Sequence, residues 1–201
     1  QIWEALEYFK STGKPFYVSM GDVAASGGYY ISCGADRIYA DRTTLTGSIG
    51  VFGIVPDMKG LLTGHLGLTF STVESNPNAM PLNIYGDMSE QQLAALQSGV
   101  NDIYETFTRR VAEGRGISQD SVKQIAEGRV WVGGKALEIG LVDELAGLRK
   151  AVADAASKSG VGVDKVVYYP EIGDDFMMEL LREARGSVSY GGMSMDGSAL
   201  R

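Results

Sequence analysis

The sequence contains one cysteine (Cys33), one histidine (His65) and two tryptophans among 201 residues. Its apolar runs all fall short of the length that a membrane-spanning helix requires. A single thiol excludes an internal disulfide, and one thiol with one imidazole is too few soft ligands for a Cys/His zinc site. Nothing in the composition calls for a metal or another cofactor. Basic residues are outnumbered, 18 Lys plus Arg against 25 Asp plus Glu, for a net charge of −7. With no basic cluster to offset that balance, a nucleic-acid groove or a patch for anionic lipid is disfavoured. An initiator methionine is also lacking. Gln1 stands first, and Ile2, Trp3, Ala5, Leu6 and Phe9 already follow helical spacing with no capping residue before them. From this abrupt opening we expect a preceding segment, and any signal peptide or membrane anchor would lie there.

Glycine, by contrast, is abundant. There are 27 in the chain, about twice the usual share, and they are densest in residues 21–67, which hold ten. They follow no collagen period and no repeat, so they mark turns and places where backbones approach closely. The remaining pattern alternates strands and helices. Helices are expected at residues 2–12, 25–35, 58–66, 89–113, 119–127, 135–139, 147–157 and 174–184. Strands are expected at 16–20, 37–40, 48–55, 68–73, 130–132 and 166–169. Ser89 with Gln92 forms a capping-box signal, followed by an apolar stripe of Leu93, Leu96, Val100, Ile103, Phe107 and Val111. Ser118 caps the next helix. Residues 75–87 carry Asn-Pro, Met-Pro and Gly-Asp breakers and read as an extended loop. Residues 186–201, with four glycines and four serines, read as a loose tail. This alternation implies an α/β fold with mostly parallel strands.

Two constellations could carry chemistry. In Met20-Gly21-Asp22-Val23-Ala24-Ala25-Ser26-Gly27-Gly28-Tyr29-Tyr30 a serine sits between a strand and a helix, preceded by small residues and followed by two glycines. A nucleophilic serine needs such a setting: an exposed hydroxyl, room for a carbonyl, and a following N–H to hold an oxyanion. The same residues also suit a glycine-rich turn whose serine merely caps the helix. In Leu45-Thr46-Gly47-Ser48-Ile49-Gly50-Val51-Phe52-Gly53 three glycines recur at intervals of three. Glycines inside an apolar strand are costly unless backbone or substrate passes close by. Ser48 could be a second site hydroxyl, or a satisfied serine in a kinked strand.

Together these residues resemble the signal peptide peptidase A family. The resemblance extends through Ile125-Ala126-Glu127-Gly128-Arg129-Val130-Trp131, Gly133, Ala136 and Gly140-Leu141-Val142-Asp143-Glu144-Leu145. It covers residues 1–155, and the Tyr168-Tyr169-Pro170 region resembles the end of the long, two-repeat bacterial form. It implies a Clp-protease/crotonase fold, a repeated β-β-α superhelix whose N-terminal part is missing here. Residues 1–160 would be the peptidase repeat, 161–185 a strand–helix extension and 186–201 the tail. It further implies a serine peptidase of the Ser/Lys dyad type that degrades released signal peptides and other apolar peptides. The implied setting is the bacterial cytoplasmic membrane with an extracytoplasmic active site. The implied assembly is a homotetramer, with the N-terminal repeat of the same polypeptide as the nearest partner.

By the same resemblance Ser26 is the nucleophile, Gly27 supplies an oxyanion N–H, and Ser48 orients the base lysine. Gly28, Tyr29, Gly47 and Gly50 would border the substrate. The short family members take the base lysine from the loop at 75–87, which has none here; the long form takes it from the preceding repeat. The base is therefore expected outside this chain. Lys10, Lys123, Lys150 and Lys158 read as solvated helix faces, Lys14 lies in a turn, and Lys59 begins a helix. His65 follows a short helix, away from the place a Clp-type histidine would take, and reads as a capping or surface residue. Cys33 and Trp131 read as packing. Two other classes stay open: a crotonase-like lyase or isomerase acting on acyl-coenzyme A, for which Asp22 is the only acid near Ser26, and a non-catalytic assembly domain.

Overall fold

The computed structural model describes residues 1–169 apart from 72, 77, 78, 80–83 and 87. The expected 174–184 helix and the 186–201 tail lie outside the described residues, as does much of the 75–87 loop. Two compact units are present, Gln1–Val161 and Gly162–Arg201.

In the first unit, helix α1 (Ile2–Ser11) leads into strand β1 (Tyr17–Ser19), a short strand β2 (Val23–Ala25) and helix α2 (Gly27–Ser32). Strands β3 (Arg37–Ala40) and β4 (Leu45–Gly47) follow. After an irregular stretch with one wide helical turn at Gly60–His65 comes the long helix α3 (Glu90–Arg115). The chain continues through α4 (Gln119–Ile125), β5 (Val130–Val132), α5 (Gly133–Glu138), β6 (Glu144–Leu145) and α6 (Leu148–Ser159). The strands form two three-stranded sheets. One is all parallel, in the order β1-β3-β6; in the other, β2-β4-β5, β2 and β4 are parallel and β5 is antiparallel. This is the expected α/β architecture with mostly parallel pairing.

Local chemistry explains the helix ends. At α3 the Gln92 N–H donates to Ser89 Oγ (3.2 Å), and the Ser89 N–H donates to Gln92 Oε1 (2.8 Å). This reciprocal cap satisfies two donors that a helix start leaves open. Ser118 Oγ caps α4 by accepting from the Ser121 N–H. The core gathers around Tyr29, Cys33, Ile38, Ile49, Phe107, Val111, Val122 and Leu141. It joins α2 and the C-terminal half of α3 to both sheets. Cys33 and Trp131 are packing residues, as read. The Cys33 Sγ donates to the Tyr30 carbonyl, and burial pushes its thiol up to about 11. Trp131 Nε1 donates to the Ile125 carbonyl (3.0 Å).

Four expectations are corrected. Ala25 ends a strand rather than opening a helix, because Ala24 and Ala25 pair with Thr46 and Gly47. The strand expected at 48–55 lies at Leu45–Gly47 instead. Positive φ at Gly47 and Ser48 (77° and 48°) turns the chain out of extended geometry there. The apolar run at 68–73 has no strand among its described residues, and Leu68 and Phe70 are exposed; alternation alone cannot make a strand without a partner edge. In the second unit, Val163–Lys165 forms a single tight helical turn, and residues 166–169 belong to no strand.

Candidate functional site

Ser26 follows β2 directly and Ser48 follows β4 directly. The two strands are parallel neighbours with Ala25 opposite Gly47, so the serines leave matching ends of adjacent strands, about 4.8 Å apart in backbone spacing. Both are held in unusual backbone conformations, Ser26 at φ 53° and ψ −115° and Ser48 at φ 48°. Non-glycine residues in such regions carry strain of roughly 1–3 kcal/mol each and persist only where surrounding bonds enforce them.

The enforcing bonds are present. The Ser26 N–H donates to the Gly47 carbonyl (2.9 Å), and the Ser26 carbonyl accepts from the Tyr30 N–H (2.8 Å) at the start of α2. The Ser48 N–H donates to the Arg129 carbonyl (2.8 Å), and the Gly128 N–H donates to the Ile49 carbonyl (3.0 Å), extending the β4–β5 ladder. Two buried threonines fasten the 21–25 segment onto β4: Thr44 Oγ1 donates to the Gly21 carbonyl and Thr46 Oγ1 to the Ala24 carbonyl, each at 2.8 Å. Those hydroxyls do structural work in the site, which the sequence pattern alone did not assign.

A sharp strand-to-helix turn at a strained residue presents its side chain outward, and Ser26 is exposed. Gly27 is exposed too, and a Cβ placed there would meet nothing within 4 Å. As the first residue of α2, its N–H has no carbonyl in its own helix to bond. Ser26, Gly27, Ser48 and Gly50 line one cleft of 770 Å³, with Tyr30 and Phe107 on its apolar wall.

Two glycines of the second constellation answer to close neighbours, Gly47 chiefly to a side chain and Gly50 to backbone, whereas a Cβ on Gly53 would meet nothing within 4 Å. Gly47, expected at the substrate, lies outside the cleft lining. A Cβ on Gly47 would meet Trp131 Cδ1 at 2.8 Å, and one on Gly50 would meet the Gly128 nitrogen at 2.6 Å. Gly28 faces Ala24 at ordinary contact distance and does not line the cleft. Tyr29, expected at the substrate, is fully enclosed instead. Its hydroxyl donates to the Leu141 carbonyl (2.9 Å), and burial raises its pKa far above the usual phenol range. Its neighbour Tyr30 reaches the cleft, held edge-on against Phe107 at 5.0 Å between ring centres and hydrogen-bonded by Arg110.

None of the eight lysines lines the cleft, and His65 does not either. Lys10 donates to the Gly34 carbonyl (2.5 Å). Lys123, Lys135 and Lys150 are paired with Glu105, Glu138 and Asp154. Asp22 is exposed and lies outside the cleft lining. The carboxylate that does line it is Glu127, at φ 59°. Sequence reasoning passed over this residue, although the Glu-Gly pair ending α4 was a usable sign of a left-handed turn. Among the described residues no group of His, Cys, Asp and Glu could hold a metal ion, and no helix is long and apolar enough to cross a membrane.

Comparison with known proteins bears on the same segment. Among solved structures, an enoyl-CoA hydratase from Polaromonas sp. JS666 is 15% identical at a TM-score of 0.35, over 79% of this chain and 44% of that one. Among curated proteins, a chain from Enterococcus faecium whose name places it with signal peptide peptidase SppA is 36% identical over 172 residues, 83% of this chain. Protease 4 of Haemophilus influenzae is 36% identical over 157 residues, 77% of this chain. The matches span 49% and 25% of those two relatives' own lengths. The model of peptidase family S49 matches residues 8–162, a segment that contains both strained serines and the whole described cleft. The chain belongs to peptidase family S49.

Proposed function

We propose that this chain is the serine-bearing part of a peptidase acting on apolar peptides, including released signal peptides. The observation that carries the reading is the pair of strained serines at adjacent strand ends, both facing a cleft with apolar walls. Ser26 Oγ attacks the peptide carbonyl carbon while a neutral lysine takes its proton. The Gly27 N–H donates to the resulting oxyanion. The lysine then gives the proton to the departing amine as the C–N bond breaks. Water, deprotonated by the same amine, releases the acyl group and restores the serine hydroxyl. A lysine does this only with its pKa brought well below its ordinary value of about 10.4. Ser48, on the neighbouring strand end, is the hydroxyl suited to orient it.

All eight lysines of the chain stand outside the cleft lining, which supports a base delivered by another part of a longer polypeptide. A preceding repeat is our candidate, with residues 1–160 as the catalytic repeat. Assembly of several copies, the tetramer of the two-repeat form, would cover the apolar surface of residues 51–103. Membrane attachment with an extracytoplasmic site follows the same reading. The test uses the full-length protein. Ser26→Ala is expected to lower turnover of an apolar peptide by at least about a thousandfold and to abolish labelling by a serine-directed fluorophosphonate. Undiminished turnover, or a label found on Ser48, would remove Ser26 from the mechanism.

A further inference from the structure

Glu127 has no part in that mechanism. It is one of three non-glycine residues with positive φ among those described, and the other two are Ser26 and Ser48. All three line the same cleft. Backbone geometry alone does not call for glutamate here, since glycine or asparagine holds a left-handed residue at lower cost. The bonds that fix Ser48 also fix Glu127 beside it, because Gly128 and Arg129 bond to Ile49 and Ser48.

The side chain has one charged partner. Arg129 Nη2 donates to Glu127 Oε2 (2.8 Å), while Arg129 Nη1 donates to the Gln124 and Ala126 carbonyls (3.0 and 3.2 Å) at the end of α4. The guanidinium is thus anchored to a helix terminus and pairs with one carboxylate oxygen, itself outside the cleft lining. Oε1 makes no hydrogen bond among the described residues. Glu127 is the one charged residue among those that line the cleft, and its neighbours there include Phe52, Val100 and Ile103.

We propose that Glu127 is a specificity determinant. Its carboxylate receives a cationic group of the bound peptide, a lysine or arginine side chain near the scissile bond. An otherwise uncharged cleft thereby prefers a basic residue at one position and rejects an acidic one. This rests on the reading of the cleft as the peptide site. The side chain is 67% exposed, so salt screens the attraction and its size is moderate.

The experiment measures binding to the full-length protein carrying Ser26→Ala. Fluorescent apolar peptides differ only by lysine or norleucine at one position, which is moved along the peptide. Anisotropy is read at low and at high salt. At one position the lysine peptide is expected to bind about five-fold tighter at low salt. Glu127→Gln should erase the difference, Glu127→Lys should reverse it, and high salt should shrink it. Equal binding at every position, or a lysine preference that survives Glu127→Gln with an unchanged melting temperature, overturns the proposal. Failure of every peptide to bind removes the peptide-site reading and this inference with it. A lysine preference in a protein whose turnover ignores Ser26→Ala would leave Glu127 standing and dismiss the serine.

Discussion

Along α3 the apolar stripe keeps one spacing from Leu93 to Val111, yet its two halves sit in different surroundings. Phe107 is 3% exposed and Val111 is fully buried, whereas Leu93 is 49% and Ile103 56% exposed. The same division runs through the rest of the chain. Among the described residues, the buried apolar side chains stop at Ile49 and resume at Phe107. Between them Phe52, Ile54, Leu66 and Val73 face outward. Helical periodicity identifies a face that can be buried, but whether it is buried depends on what packs against it. The cleft lies on the boundary, with the strained serines on the packed side and Gln97, Val100 and Ile103 on the other.

The C-terminal half of α3 is also pinned at its end. Arg115 donates through Nη2 and Nη1 to the Asp143 carboxylate (2.5 and 3.0 Å) and through Nε to the Gly140 carbonyl (2.9 Å). Asp143 Oδ2 also accepts from the Ile38 N–H (2.7 Å). Burial by itself would raise the Asp143 pKa; the bonds from Arg115 and Ile38 outweigh it and hold the carboxyl below its usual range.

The contrast can be tested with two glycines of the same helix. A Cβ on Gly114 would lie 2.1 Å from the Cys33 carbonyl oxygen, a backbone atom with no room to yield. Gly114→Ala is expected to cost roughly 3 kcal/mol or more, seen as a melting temperature lower by about 6–12 °C. Next in size is Asp143→Asn, which leaves the nearly buried Arg115 without its partner. A loss of about 2–3 kcal/mol is expected at neutral pH in urea titrations. Because the native carboxyl titrates below its unfolded value, its stabilisation is full above about pH 4. It is lost as the pH falls through the native pKa, so wild type and variant should converge in acid. Smallest and opposite in sign is Gly99→Ala, in the uncovered half, where a Cβ meets nothing within 4 Å. It should stabilise the chain by about 0.5–1 kcal/mol. A loss there instead would mean that this half is covered in the native assembly.

Much of the fold was legible in local chemistry. Ser89 with Gln92 and the lone Ser118 announce helix starts through bonds made within one turn, and the structure places α3 and α4 there. The apolar runs at 37–40 and 130–132 read as strands and are strands. That Ser26 stands at a turn beside a helix start was legible too, because small residues followed by two glycines are unusual unless something must approach, but the strand directly before it was not. The short strands β2 and β6 were not legible, since two or three residues acquire extended geometry only from the strand beside them. The place where β4 ends was hidden for the same reason.

The sequence by itself determined the helix caps, the alternation of strands and helices, and the presence of a serine at a glycine-flanked turn, because each depends on residues within a few positions of one another. Only the tertiary structure decided that Ser26 and Ser48 leave matching strand ends, that Glu127 joins them in one cleft, that Tyr29 is enclosed, and that the core takes up only the Phe107–Val111 end of α3's stripe. Those outcomes depend on strand register and on contacts between residues far apart in the chain, and the spacing of residues along the chain does not record either.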